Sequence, residues 1–267
     1  MDAVDNPAFY DRHWERTNTA MSPEVVAKAD RLLQLIPDDV RTIVDIGCGD
    51  GYLTHRLAER FEVTAVDRSE VALSRVQCRT VLASADDLPL PDGSADLVFA
   101  SELIEHLPAA ILDRAARELG RVSRRYLLLA VPNHENLELR VARCPRCGIE
   151  FHVDSHLHSF DASSLDALFP DYQRVETVCD GPLEPASHPV LERLRRRLAR
   201  RYWVWSDSQL TCPKCGNESF ERSQLKLVQR TISRLIDVLT TGLNRWRGQQ
   251  ARPYWLIALY RRRGVAS

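Results

Sequence analysis

The sequence predicts an α/β protein, a doubly wound and mostly parallel sheet with helices on both faces and a zinc-binding insertion. Three observations carry this. Val44-Asp45-Ile46-Gly47-Cys48-Gly49-Asp50-Gly51 reads as a buried strand entering a turn with glycine at every second position. Short apolar strands then alternate with helical stretches up to about residue 131, the pattern of a parallel sheet covered on both sides. Two copies of Cys-x-x-Cys-Gly, at Cys144 and Cys212, interrupt that alternation.

Ser22-Pro23-Glu24 is a helix start, with serine as N-cap and proline at the first helical position. That helix is expected to reach about Ile36. A strand over 43–46, the glycine turn and a helix over 52–60 follow. Strand 62–66 leads to Asp67, then come helix 69–76 and strand 79–82. Strand 96–100, helix 109–122 and strand 125–131 complete the regular series. The pattern breaks at Pro132-Asn133, and residues 134–160 carry no clear strand or helix. Helix 162–169 and strand 173–178 restore it. An arginine-rich helix at about 188–202 and a helix over 223–245 occupy the next stretch, and Pro253 to Tyr260 closes the chain as a strand. One core is expected from residues 1–133, 159–180 and 253–267, with insertions at 134–158 and 181–252.

The net charge of −1 over 267 residues gives no global signature of polyanion binding. The polar N-terminus lacks the apolar run of a signal peptide, which points to the cytoplasm. The longest apolar run, Trp255 to Tyr260, is too short to span a bilayer, so no transmembrane segment is expected. Four of the seven cysteines lie in the two knuckles. A pair of knuckles supplies four thiolates to one tetrahedral ion, so Cys144, Cys147, Cys212 and Cys215 are expected to hold structural zinc. In one alternative, His152, His156 or His158 replaces a cysteine. A redox Cys-x-x-Cys is a second alternative, but it does not explain two copies. Cys48, Cys78 and Cys179 read as small buried hydrophobes.

The glycines at 47, 49 and 51 depart from the G-x-G-x-x-G of dinucleotide binders, and no Lys-Ser/Thr follows as in a P-loop. Asp67 ends the second strand, where a carboxylate can accept both hydroxyls of a ribose. With Ser84-Ala85-Asp86-Asp87-Leu88-Pro89 and Asp96 to Leu107 (DLVFASELIEHL), these residues resemble the class I S-adenosylmethionine (SAM)-dependent methyltransferases. The resemblance covers about residues 8–180, and the layout is most similar to bacterial polysaccharide and secondary-metabolite enzymes. It implies a seven-stranded sheet whose seventh strand is antiparallel. Both insertions then emerge at the carboxyl edge, where ligands bind in open α/β sheets, and form a substrate lid. It further implies that Gly47, Cys48 and Gly49 hold the methionine end of SAM. Asp45 orients that turn or reaches the amino group. Asp67 takes the ribose with Arg68 beside it, and residues 84–87 cover the adenine. Many relatives carry an acid where Ser84 stands, so Asp86 is expected to substitute, with the backbone of Ala85 and Asp86. Ser101 falls near the methyl group, and Tyr10 and Trp14 are placed as a cover.

Transfer to oxygen usually needs a base. His106, in Glu102-Leu103-Ile104-Glu105-His106-Leu107, is the leading candidate and His156 the second. Alternatively, the E-x-x-E-H-L run only packs the turn. The order Glu102, Glu105, His106, His156 also resembles the metal-dependent small-RNA 3′-end 2′-O-methyltransferases, which implies Mg²⁺ or another divalent ion. Arg193, Arg195, Arg196, Arg197, Arg200 and Arg201 read either as a phosphate-binding face or as the solvated face of an amphipathic helix. The expected activity is O-methylation of a sugar, glycan or other small hydroxyl compound. An RNA acceptor is the second reading, and a SAM-binding zinc module without turnover the third.

Overall fold

The computed structural model describes residues 7–16, 22–203, 210–220 and 225–264. Residues 223–224 of the helix expected over 223–245, and the outermost residues of the expected core, lie outside that range. The chain runs α1 (Pro7–Arg16), α2 (Pro23–Leu35), β1 (Thr42–Ile46), α3 (Tyr52–Ala58), β2 (Glu62–Asp67), α4 (Glu70–Leu73) and β3 (Arg79–Leu82). It continues with β4 (Ala95–Ser101), a 3₁₀ turn (Ile104–His106), α5 (Ala109–Val122) and β5 (Ser123–Pro132). Then come β6 (Val141–Arg143), β7 (Glu150–His152), α6 (Ala162–Leu168), β8 (Tyr172–Glu184), α7 (Pro189–Leu194), a π-helical turn (Arg195–Ala199), α8 (Leu227–Arg247) and β9 (Arg252–Arg262).

The main sheet has seven strands in the order β3-β2-β1-β4-β5-β9-β8. All its pairings are parallel except those of β9, which runs antiparallel to both β5 and β8. Successive strand residues serve opposite faces. Val44, Val98, Leu127 and Leu129 enter one core with α5, whereas Ile43, Leu97, Phe99 and Leu128 enter the other with α2. Both faces are therefore buried, which is why these strands read as unbroken apolar runs. Helix α5 docks by one stripe, Ile111, Leu112, Ala115, Ala116, Leu119 and Val122. Ser22 caps α2 by accepting the Val25 N–H, as expected.

The strand order reverses between β1 and β4, so the turns after these strands open a crevice at the carboxyl edge. Both insertions leave from that edge, one after β5 and the other between β8 and β9. Several expectations need correction. Residues 134–160 hold the β6–β7 hairpin. The arginine-rich helix ends early, because Arg200 takes a left-handed φ of +50°. Strand β8 extends to Glu184, and α4 is a single turn. Cys48 is buried as expected, but Cys78 is half-buried and Cys179 exposed.

Candidate active site

Strand β1 delivers the chain into the glycine turn with positive φ at Gly47 (+74°) and Gly49 (+55°). A side chain at either position would be strained, and there is no room for one. A Cβ on Gly47 would stand 2.8 Å from Leu103, and one on Gly49 would stand 2.6 Å from the Trp14 ring. The Gly49 N–H donates to Asp67 Oδ2 at 3.0 Å, and the Ser69 N–H donates to Oδ1 at 2.9 Å. One carboxylate thus ties the turn after β1 to the turn after β2. Burial raises the Asp67 pKa, and these backbone donors oppose the rise.

A cavity of about 510 Å³ opens over these turns. One half is formed by Gly47, Asp67, Arg68, Ser84 and Ala85, with Tyr10 and Trp14 of α1 as a wall. Tyr10 and Trp14 sit four apart on one helix face, and the Arg68 guanidinium lies 5.5 Å from the Tyr10 ring centre. The other half takes Glu102, Leu103 and His106 from the segment after β4, and Asp154, Ser155 and His156 from the first insertion. Leu210 and Thr211 of the second insertion and Tyr254 close it. Of the site residues expected from sequence, the structure gathers Gly47, Asp67, Arg68, Ala85, His106 and His156 around one cavity, and Gly49 holds the turn beside them.

Four others do not line it. Asp45 is buried beneath the turn and accepts the Thr54 hydroxyl at 2.6 Å, locking α3 to β1. It does not line the cavity, and burial pushes its pKa up to about 7. Cys48 is buried, and its N–H, like that of Gly47, donates to the Val66 carbonyl. Asp86 is taken by Arg114 at 2.5 Å and by the Ser84 hydroxyl, so its carboxylate is committed elsewhere. Ser101 also lies off the cavity; Glu102, at φ +54°, takes the lining position next to it.

The cluster beyond includes residues that the sequence reading missed. Glu135, buried on the first insertion, receives His156 Nδ1 at 2.5 Å and has His152 Nε2 3.5 Å from its other oxygen. An ionised carboxylate only accepts, so His156 donates to Glu135 through Nδ1. His106 packs edge-on to His156 with ring centres 4.7 Å apart. Burial, helped by His156, drives the His106 pKa down to about 3, so that ring stays neutral. Glu105 is fully buried with neither oxygen hydrogen-bonded, and burial raises its pKa. Its backbone carbonyl accepts the Leu157 and His158 N–H groups, which pins the insertion over the 3₁₀ turn. Glu105, His106 and His156 can offer ligand atoms within 4.8 Å of one another. Glu102, the fourth residue of the expected divalent set, is instead paired at 2.8 Å with the buried Lys28 ammonium.

The two knuckles meet. Cys144 Sγ lies 3.6 Å from Cys215 Sγ, and Cys147 Sγ lies 3.6 Å from Cys212 Sγ. Sulfurs 2.3 Å from a tetrahedral zinc would be spaced by about 3.8 Å, so the donor set fits that ion. The knuckles share one backbone design. Gly148 and Gly216 both have positive φ and donate to the carbonyls of Cys144 and Cys212 at 2.9 Å. Neither His152 nor His156 stands with the sulfurs, and His158 Nε2 contacts the Leu107 carbonyl.

Residues 43–125 match the family described as "Methyltransferase domain". That stretch is similar to a methyltransferase domain. The match lies on β1 through the start of β5, the half of the sheet that builds the glycine turn, Asp67 and His106. A curated relative, "27-O-demethylrifamycin SV methyltransferase" from Amycolatopsis mediterranei, is 30% identical over 55% of this chain and 61% of its own length. The chain therefore spans less than two thirds of that relative. A crystal structure of a putative methyltransferase from Bacillus halodurans superposes with a TM-score of 0.58 at 15% identity, covering 88% of this chain and 98% of that one. A SAM-dependent methyltransferase from Archaeoglobus fulgidus gives 0.54 at 16% identity, covering 97% and 100%. At such identities these structures speak to the fold, which this chain shares with them.

Proposed function

We propose that the chain is a SAM-dependent O-methyltransferase acting on a sugar, glycan or other small hydroxyl compound. The observation that carries this is the two-sided cavity. Its donor half has the glycine turn and the Asp67 carboxylate, and its other half has His156 backed by Glu135. The relative named for a rifamycin precursor, whose name places the methyl on oxygen, supports a small hydroxyl acceptor.

SAM would supply an electrophilic methyl group on a sulfonium. The chain's residues position and deprotonate. Backbone at Gly47 would receive the methionine end, Asp67 the ribose, and the Ser84–Ala85 backbone the adenine; all of them line the cavity. His156 Nε2 would take the acceptor proton while Glu135, against Nδ1, would stabilise the imidazolium. His106, with its pKa near 3, is too weak a base near neutral pH and serves to pack and orient His156. Holding both reactants in one closed space is itself a large part of the rate. Zinc on the four cysteines would be structural: it leaves no ligand position open and staples the two insertions over the cavity.

The test is a mass-spectrometric screen of the purified chain with SAM against sugars, glycolipids, polyketide alcohols and RNA. A gain of one methylene equivalent on a hydroxyl compound supports the reading. Methylation confined to RNA would replace it with the RNA reading, and SAM binding without any turnover would favour the zinc interaction module.

A further inference from the structure

The arginine-rich segment has no part in the cavity. It belongs to an antiparallel helical pair in the second insertion. His188 Nε2 meets Asn244 at 2.8 Å, Arg195 meets Asp237 at 2.6 Å, and Arg201 meets Ser233 at 2.8 Å, so α7 and its π turn run back along α8. Residues 188–201 and 226–247 hold eleven arginines and lysines against two acids, Glu192 and Asp237, a net of +9 in a chain whose total is −1. Arg197, Arg200, Arg234, Arg245 and Arg247 have no acidic partner among the described residues.

The outer face of α8 is apolar. Leu227, Val228, Leu235, Val238, Leu239 and Trp246 are 57–79% exposed. At 100° per residue they fall within one arc of roughly 120°, opposite the buried Ser233 and Ile236, with Arg230, Arg234 and Arg245 along one border. Val190, Leu194 and Leu198, spaced by four, add a second exposed row on the neighbouring helix. No described helix is long and apolar enough to cross a membrane.

The charge pattern selects the occupant. A second copy would set these arginine borders against their own kind. A nucleic acid would meet the charge but leave the apolar arc uncovered. A peptide helix seeks a groove, whereas these side chains stand on the outer face of one helix. An anionic bilayer surface satisfies both features, since apolar side chains enter the headgroup boundary while arginine stems reach lipid phosphates. We propose that this helical pair docks the protein on an anionic phospholipid surface, with Leu235, Val238, Leu239 and Trp246 inserted and Arg234 and Arg245 on phosphates. The pair lies in the insertion that also supplies Leu210 and Thr211 to the cavity.

The experiment is co-sedimentation of the full chain with vesicles of phosphatidylcholine, with or without phosphatidylglycerol. Binding is expected to the anionic vesicles only and to fall at high salt. Arg234→Glu with Arg245→Glu should weaken it by more than ten-fold, since each cation near such a surface contributes about five-fold. The triple variant Leu235→Gln, Leu239→Gln, Trp246→Gln changes only exposed positions; it should abolish sedimentation while SAM affinity and thermal melt stay as in the parent. Absence of vesicle binding, or a triple variant that binds like the parent, would overturn the proposal. So would a dimer that the triple variant dissolves, or retention on RNA in place of vesicles.

Discussion

Removing the Asp67 carboxylate perturbs the donor half most directly. An ionised carboxylate offers about four acceptor sites. Two are used by the N–H groups of Gly49 and Ser69, at 3.0 and 2.9 Å. Asp67 also lines the cavity, where its spare acceptor capacity would serve the two hydroxyls of a ribose. Hydrogen bonds to a charged group contribute about 1.5–3 kcal/mol each, so losing both should weaken SAM by about 3 kcal/mol or more, on the order of a hundred-fold. Asp67→Ala also strands the two backbone donors and should lower the melting temperature. Asp67→Asn keeps one acceptor and should lose less affinity. Titration calorimetry with SAM, alongside a thermal melt of each variant, reads both effects. Affinities within about three-fold of the parent in both variants, with cooperative melts retained, would refute the assignment.

Three further outcomes are expected. Elemental analysis should find about one zinc per chain, and Cys212→Ser should release it and expose residues 134–158 to protease while residues 43–125 stay protected; full zinc retention would contradict the four-sulfur site. Asp45 in the folded chain titrates at about 7 against an ordinary 3.8, so its contribution to stability is present below about pH 4 and is lost as pH rises through 7, by about 4 kcal/mol. Asp45→Asn still accepts the Thr54 hydroxyl, so its stability relative to the parent should grow between pH 5 and pH 8; a pH-independent difference would count against the buried carboxylate as the cause. Once an acceptor is found, Glu135→Gln should lower kcat on the order of ten-fold or more and shift the pH profile with SAM affinity unchanged, and an unshifted profile would remove Glu135 from the proton path.

The sheet was legible because both its faces are buried. Ile43 and Val44, or Leu127 and Leu128, serve opposite cores, so each strand announced itself as an apolar run. The glycine turn and Asp67 were legible because positive φ and a strand-end carboxylate leave chemical marks. Asp86 was misplaced because Arg114, 28 residues away, claims its carboxylate. Ser101 was misplaced because strand residues alternate in direction and the left-handed Glu102 takes the lining position. The β6–β7 hairpin escaped notice because three-residue strands beside a knuckle carry no periodicity. Glu135 left no signal at all, since its meaning lies only in its contacts with His152 and His156.

The most direct measurement is a crystal structure of the chain with S-adenosylhomocysteine. The ribose hydroxyls should lie on Asp67, the methionine end against Gly47, the adenine beside Ser84 and Ala85, and the sulfur should face His156. A ligand bound away from the glycine turn, or no binding at millimolar concentration, would contradict the assignment of this cavity to methyl transfer.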